Sequence, residues 1–187
     1  VMNLSVMQGY KMILLPKFDP SDTLKTIHKL KPTLFPGAPT IYIALLNHPD
    51  LQKYNLSSIE CCISGSAPLP AEIQEKFERV TGGKLVEGYG LSEASPVTHA
   101  NFIWKKRKKG SVGVPWPSTD AVILSYEHGG IAEPNELGEI AVRGPQVMLG
   151  YWNKKEETEE ALKNDWLLTG DIGYMDEEGY FYILDRK

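Results

Sequence analysis

Short apolar runs alternate with stretches of helical spacing over the first half of this chain, and that alternation limits the fold more than any other feature. Met12-Ile13-Leu14-Leu15, Thr33-Leu34-Phe35 and residues 59–64 each have the length and apolar character of a strand. Helix signals fill the gaps. Asp19 is placed as an N-cap with Pro20 in the first turn, Leu24, Ile27 and Leu30 recur at helical spacing, and Pro32 stops the run. Pro36-Gly37 turns the chain, and Ala38-Pro39-Thr40 opens a second helix with Ile41, Tyr42, Leu45 and Leu46 on its apolar face. Pro70 begins a third, with Ile73, Phe77 and Val80 on one side and Thr81-Gly82-Gly83 ending it. Lys84-Leu85-Val86-Glu87 then reads as a buried strand. Strand and helix repeated in this way predict an α/β fold, with a parallel sheet covered by helices and its loops emerging along one edge.

Past Trp104 the pattern changes. The run Lys105-Lys106-Arg107-Lys108-Lys109-Gly110 reads as a solvated loop and receives no function. Residues 120–125, 138–144 and 180–184 read as strands, His128-Gly129-Gly130, Pro134-Asn135 and Asp176-Glu177-Glu178-Gly179 as turns, and residues 154–163 as a charged helix. The expected organisation is an α/β subdomain over residues 1–108 and a smaller β-rich subdomain, a distorted barrel or sheet, over residues 109–187.

The formal net charge of -4 argues against a nucleic-acid-binding surface, which is normally basic, and favours a small-molecule ligand. Cys61 and Cys62 are adjacent in a strand and point to opposite faces, so they read as two small buried residues of a protein of the reducing cytoplasm. No apolar run is long enough to span a bilayer. The chain starts within an apolar helix-like stretch at Val1 and stops directly after a strand at Asp185-Arg186-Lys187, which suggests a piece of a longer protein.

Chemistry concentrates in Gly88-Tyr89-Gly90-Leu91-Ser92-Glu93. If this is a turn at the carboxyl end of the preceding strand, it lies where open α/β sheets bind ligands. Its glycines permit close backbone approach, Tyr89 offers a flat face for a ring, Ser92 can donate to a phosphate oxygen and Glu93 can hold a hard cation. Together they suit a magnesium nucleotide; the alternative is a tight turn with a solvated carboxylate. The loop Gly65-Ser66-Ala67-Pro68 leaves a slot for a flat heterocycle, or is simply a strand-to-helix connection that needs small residues. In Trp166-Leu167-Leu168-Thr169-Gly170-Asp171, the carboxylate of Asp171 can accept the paired hydroxyls of a ribose, or serve as a turn or cap residue. Arg186 offers a planar donor to ribose or phosphate, or forms a surface ion pair. His28, His48, His99 and His128 show neither metal-ligand spacing nor a nucleophilic triad.

Taken in order, the Gly65 loop, the Gly88–Glu93 stretch, Gly138-Glu139-Ile140-Ala141-Val142-Arg143-Gly144-Pro145, Thr169-Gly170-Asp171 and Asp185-Arg186 resemble the acyl-adenylate-forming (AMP-binding) superfamily. Within it, residues 33–42 with Tyr54-Asn55-Leu56-Ser57-Ser58-Ile59 are most similar to bacterial long-chain fatty-acid CoA ligases. The resemblance covers essentially the whole chain and implies a fragment of the large N-terminal domain of an acyl-CoA synthetase-like fold. It further implies ATP-dependent activation of a fatty acid as acyl-AMP with pyrophosphate release, followed by transfer to CoA.

Carried onto this sequence, the family's roles put Tyr89 on adenine, and Glu87, Gly65, Ser66 and Ala67 around the base. Gly88 and Gly90 border the nucleotide, Ser92 contacts phosphate, Glu93 binds Mg2+, Asp171 holds the ribose hydroxyls and Arg186 lies beside them; residues 36–42 and those around Gly88 line the acyl pocket. Ser92 stands where many members carry threonine, which retains the hydroxyl. The family's phosphate loop and its C-terminal domain with the catalytic lysine have no counterpart here, so residues 1–187 alone are expected not to turn over. The implied partners are fatty acid, ATP and CoA, with no nucleic acid; the expected setting is cytoplasmic, with room for peripheral membrane contact and for a homodimer of the full-length protein. Two alternatives stay open: another acyl- or amino-acid-adenylating enzyme, or a non-catalytic nucleotide-binding module.

Overall fold

Prolines and caps fix the helices near the positions their spacing predicts. The computed structural model describes residues 2–187; Val1, where the helix-like opening stretch starts, lies outside the described residues. Helix α1 spans Met2–Met7, α2 Pro20–Leu30 and α3 Pro39–Leu46. The Asp19 carboxylate accepts from the Asp22 N–H at 2.9 Å, and Pro20 stands where an N–H would have no helical partner. Lys31 closes α2 in the left-handed region, ahead of Pro32. Strand β1 (Cys61–Ser64), helix α4 (Ala71–Thr81) and strand β2 (Lys84–Gly90) follow, with Gly82 at φ 77° capping α4.

The chain forms two compact units, one up to Val86 and one over Glu87–Lys187. In the first, α2, α3 and α4 bury Leu24, Ile27, Tyr42, Leu45 and Phe77 in one core with Leu85 of β2. Gln74 reinforces it by donating its side-chain amide to the Leu85 carbonyl at 2.6 Å. Two expected strands are not built. Met12–Leu15 is irregular and largely exposed, Leu14 at 77%, and no strand among the described residues pairs with it. Residues 33–37 reach only isolated parallel bridges, Leu34 with Cys61 and Gly37 with Ser64, and between them the Tyr42 hydroxyl donates to the carbonyls of Phe35 and Ile63. Cys61 and Cys62 are both free and buried, and burial pushes the Cys62 thiol up to about 12.

In the second unit the pairing is antiparallel. The end of β2 pairs with β3 (Val97–Ala100), and β3 with β4 (Val114–Pro115). Strands β5 (Asp120–Ser125) and β6 (Gly138–Arg143) precede helix α5 (Lys155–Ala161), and β7 (Leu162–Lys163), β8 (Trp166–Met175) and β9 (Phe181–Arg186) complete the chain. These strands make a curled half-barrel sheet in the order β5-β6-β8-β7, with β9 also on β8. Its core is Val112, Ile123, Ile140, Val142, Leu167 and Phe181.

The unit begins well before the composition change after Trp104, because β3 and β4 fold back onto the end of β2 and Asn101 donates to the Ser111 carbonyl at 2.6 Å. Nor is the basic run simply solvated. Lys108 pairs with Asp176 at 2.5 Å and Glu178 at 2.9 Å over the Tyr180 ring, and Lys106 pairs with Glu178, so the run is pinned to the acidic turn before β9.

Candidate functional site

The stretch expected to be a turn from Gly88 onward remains strand through Gly90, and the reversal comes one step later. Gly88 pairs with Ala100 and Tyr89 with His99, and an irregularity between Tyr89 and Gly90 shifts the register to Val97. A side chain at Gly90 is excluded by backbone: a Cβ there would sit 1.9 Å from the Pro96 carbonyl oxygen. Leu91 N–H closes onto that same carbonyl at 2.8 Å, and the 3-10 turn Ser92–Ala94 follows. Ser92 is exposed there, and Glu93 is half-buried with its own carbonyl accepting from Met148 N–H at 2.7 Å.

Tyr89 lies on the strand face that also carries His99. The two rings are 5.7 Å apart, and His99 packs onward against Phe181 at 4.5 Å. The Tyr89 hydroxyl donates to Asp171 Oδ2 at 2.5 Å, which links two residues 82 positions apart. Burial, then the Asp171 carboxylate, pushes the Tyr89 phenol well above its ordinary range. His99 is fully buried, with Nδ1 3.0 Å from Thr98 Oγ1 and no partner at Nε2; desolvation lowers it to about 3, so the ring is neutral.

Asp171 is neither a turn nor a cap residue. It is buried in the middle of β8, where Gly170 at φ 73° lets the strand slip register against β6. Glu139 of β6 accepts from Gly170 N–H at 2.9 Å and pairs with Lys187 at 2.7 Å, while Thr169 accepts from Asp171 N–H at 3.1 Å. Arg186 is the cross-strand partner of Asp171, its Nε 3.7 Å from Asp171 Oδ1 with the guanidinium mostly exposed. One carboxylate therefore faces a phenol on one side and a guanidinium on the other, inside a strand that cannot shift without breaking the Glu139 bonds.

Other expected positions are placed separately. Glu87 and Gly88 lie half-buried on β2, and the Glu87 carbonyl accepts from Asn101 N–H at 3.1 Å. In the first unit Gly65 is half-buried, and Ser66 and Ala67 are exposed. Ser66 has φ 72°, a left-handed conformation that costs a non-glycine residue about 1 kcal/mol and is concentrated at binding loops. Tyr42, at the end of the expected acyl-pocket segment, is a core residue instead: its ring packs on Phe77 at 4.9 Å and its hydroxyl donates to the carbonyls of Phe35 and Ile63.

Three residues at the site carry no individual signal of their role in the sequence, Glu139 standing only as one member of the Gly138–Pro145 motif. His99 is found only through its register with Tyr89, Glu139 only through the bulge at Gly170, and Tyr151 only through its hydroxyl, which donates to Glu93 Oε1 at 2.8 Å. Among the described residues no cluster of three or more potential metal ligands occurs. Glu93 is thus a single carboxylate with lone pairs to spare, which suits a cation that brings its other ligands, phosphate oxygens and water, with it. No helix of the described residues is long and apolar enough to cross a membrane.

A family model described as AMP-binding enzyme matches residues 1–152. A long-chain-fatty-acid–CoA ligase of Bacillus subtilis (strain 168) is 72% identical over 187 residues, which is 100% of this chain and 33% of the relative. Among solved structures, the anthranilate CoA ligase AuaEII in complex with anthranoyl-AMP superposes with a TM-score of 0.88 at 30% identity, over 95% of this chain and 34% of that one. The N-terminal domain of FACL13 from Mycobacterium tuberculosis gives 0.88 at 29% identity, over 97% of this chain and 46% of that one. The chain thus spans about a third of the length of the curated relatives it matches.

Proposed function

This chain belongs to the AMP-binding enzyme family, and from that premise we propose that it is part of an ATP-dependent long-chain fatty-acid CoA ligase. The reaction activates the fatty carboxylate as acyl-AMP with release of pyrophosphate, then passes the acyl group to the thiol of CoA. The observation that carries the nucleotide half of this reading is the Tyr89–Asp171 contact, which holds a flat ring and a buried carboxylate at a fixed separation, as recognition of a nucleoside requires. The substrate half rests on the 72% identity with a long-chain-fatty-acid–CoA ligase.

In this assignment Tyr89 stacks on adenine, with Glu87, Gly88 and Gly90 at its border, and Gly65, Ser66 and Ala67 stand in the family's base-binding loop. Asp171 accepts the ribose hydroxyls, and Arg186 lies beside them as donor. Ser92 donates to phosphate. Glu93 holds Mg2+, which when bound supplies positive charge to the phosphate oxygens. Attack of a carboxylate oxygen on the α-phosphorus makes the acyl–phosphate bond and breaks the bond to pyrophosphate. Negative charge gathers on the phosphoryl oxygens, so fixed donors and a held nucleoside accelerate the step without a protein nucleophile. The role of this chain is to hold the nucleotide so that its phosphate meets the carboxylate in line.

The test is exchange of labelled pyrophosphate into ATP by the protein carrying these residues with its flanking segments. Exchange with palmitate, abolished by Glu93→Ala, is expected. Exchange with an amino acid alone would reassign the chain to another branch of the family, and no exchange with any acid, in a folded protein that binds ATP, would favour a non-catalytic nucleotide-binding module.

A further inference from the structure

We propose that Tyr151 is a positioning residue for the Glu93 carboxylate, itself seated by Thr158 of α5; this rests on the reading of Glu93 as the cation ligand. Glu93 is tied to one short segment at both ends: its carbonyl to Met148 N–H at 2.7 Å and its Oε1 to the Tyr151 hydroxyl at 2.8 Å. The segment is itself fixed from behind. Tyr151 N–H donates to Thr158 Oγ1 at 2.9 Å, and Thr158 Oγ1 donates to the Lys154 carbonyl at 2.6 Å. Gly150 makes the approach possible, because a Cβ there would lie 2.7 Å from Thr158 Cγ2 and its φ of 150° disfavours any other residue.

The arrangement also gives α5 a purpose. No residue of this seven-residue helix is fully buried, so core packing alone does not account for it; its half-buried Thr158 is what the tyrosine rests on. The chemistry of the contact is suited to a cation ligand. A phenol donates one hydrogen bond to one carboxylate oxygen, fixes the side-chain rotamer and leaves the second oxygen open. It carries no charge to compete with the cation, as a lysine would.

The experiment uses the protein with its flanking segments, ATP present, and Mn2+ titrated while the signal of free Mn2+ is followed by electron paramagnetic resonance. Tyr151→Phe is expected to weaken Mn2+ binding roughly tenfold, with no change in melting temperature. Thr158→Val should shift affinity in the same direction, and Thr158→Ser, which keeps the hydroxyl, should restore it. If Tyr151→Phe and Thr158→Val bind Mn2+ as the parent does while Glu93→Ala loses it, the positioning role is overturned and the reading of Glu93 stands. If Glu93→Ala also binds as the parent does, both fall. A loss in Tyr151→Phe that tracks a lowered melting temperature, with Thr158→Val stable and unaffected, would likewise overturn the proposal in favour of a simple tether.

Discussion

Acid should destabilise this protein through a single histidine. His99 is fully exposed to water in the unfolded chain, with an ordinary value near 6.5, and fully buried in the fold, where desolvation brings it down to about 3. The folded state therefore binds its proton less tightly than the unfolded one. Stability from the neutral ring is complete above pH ~6.5 and is lost as pH falls toward the folded value, with a slope of about 1.4 kcal/mol per pH unit. At pH ~4 the loss is roughly 3 kcal/mol, a large share of a typical domain's 5–15 kcal/mol. The neighbours offer no relief: Tyr89 and Phe181 flank the ring, and among the described residues its one hydrogen-bond partner is Thr98. His99→Leu removes the titrating group and keeps an apolar side chain of similar size, at the cost of the Thr98 contact. Urea unfolding of both proteins between about pH 7.5 and pH 4 gives the difference in slope, which cancels the carboxylates common to both. The parent should lose about 3 kcal/mol relative to the variant over that range. Parallel pH profiles would refute the argument, since they would mean that the ring takes its proton in the folded state as readily as in water.

Three further outcomes follow from particular contacts. Asp171→Asn keeps the shape but leaves one acceptor oxygen, already engaged by Tyr89, for two ribose hydroxyls; ATP binding measured by calorimetry should weaken by about 2–3 kcal/mol, on the order of a hundredfold. Unchanged affinity would remove Asp171 from the nucleotide site. Gly90→Ala drives a methyl group into the Pro96 carbonyl, so denaturant titration should register a loss of about 2 kcal/mol or more, because backbone rather than a flexible side chain must move. Gln74→Leu withdraws the buried donor from the Leu85 carbonyl and should lower unfolding free energy by about 1–3 kcal/mol, with a neutral result showing that water replaces it.

The helices were legible because their signals are local. Asp19 with Pro20, Pro39, and Pro70 with Gly82 act within a turn of their own positions, so α2, α3 and α4 follow from neighbouring residues. Strands were less so, since a strand exists only with a partner: Met12–Leu15 has the composition of one and no ladder, while Asp171 looked like the end of a run and lies inside β8. The basic run at Lys105–Lys109 could not declare its acidic counterpart some 70 residues later.

The sequence by itself determined the class of the fold and the chemical types at the site: an aromatic ring between glycines, a hydroxyl, and carboxylates at Glu93 and Asp171. Those depend on residue identity and short spacing. Only the tertiary structure decided which oxygen meets which hydrogen. Tyr89 reaches Asp171 and His99 is stripped of water between two rings, because strand register and a bulge bring together groups separated by up to 82 positions along the chain. Register is a property of paired strands rather than of either alone, and a single residue of slip would turn each of these side chains to the opposite face.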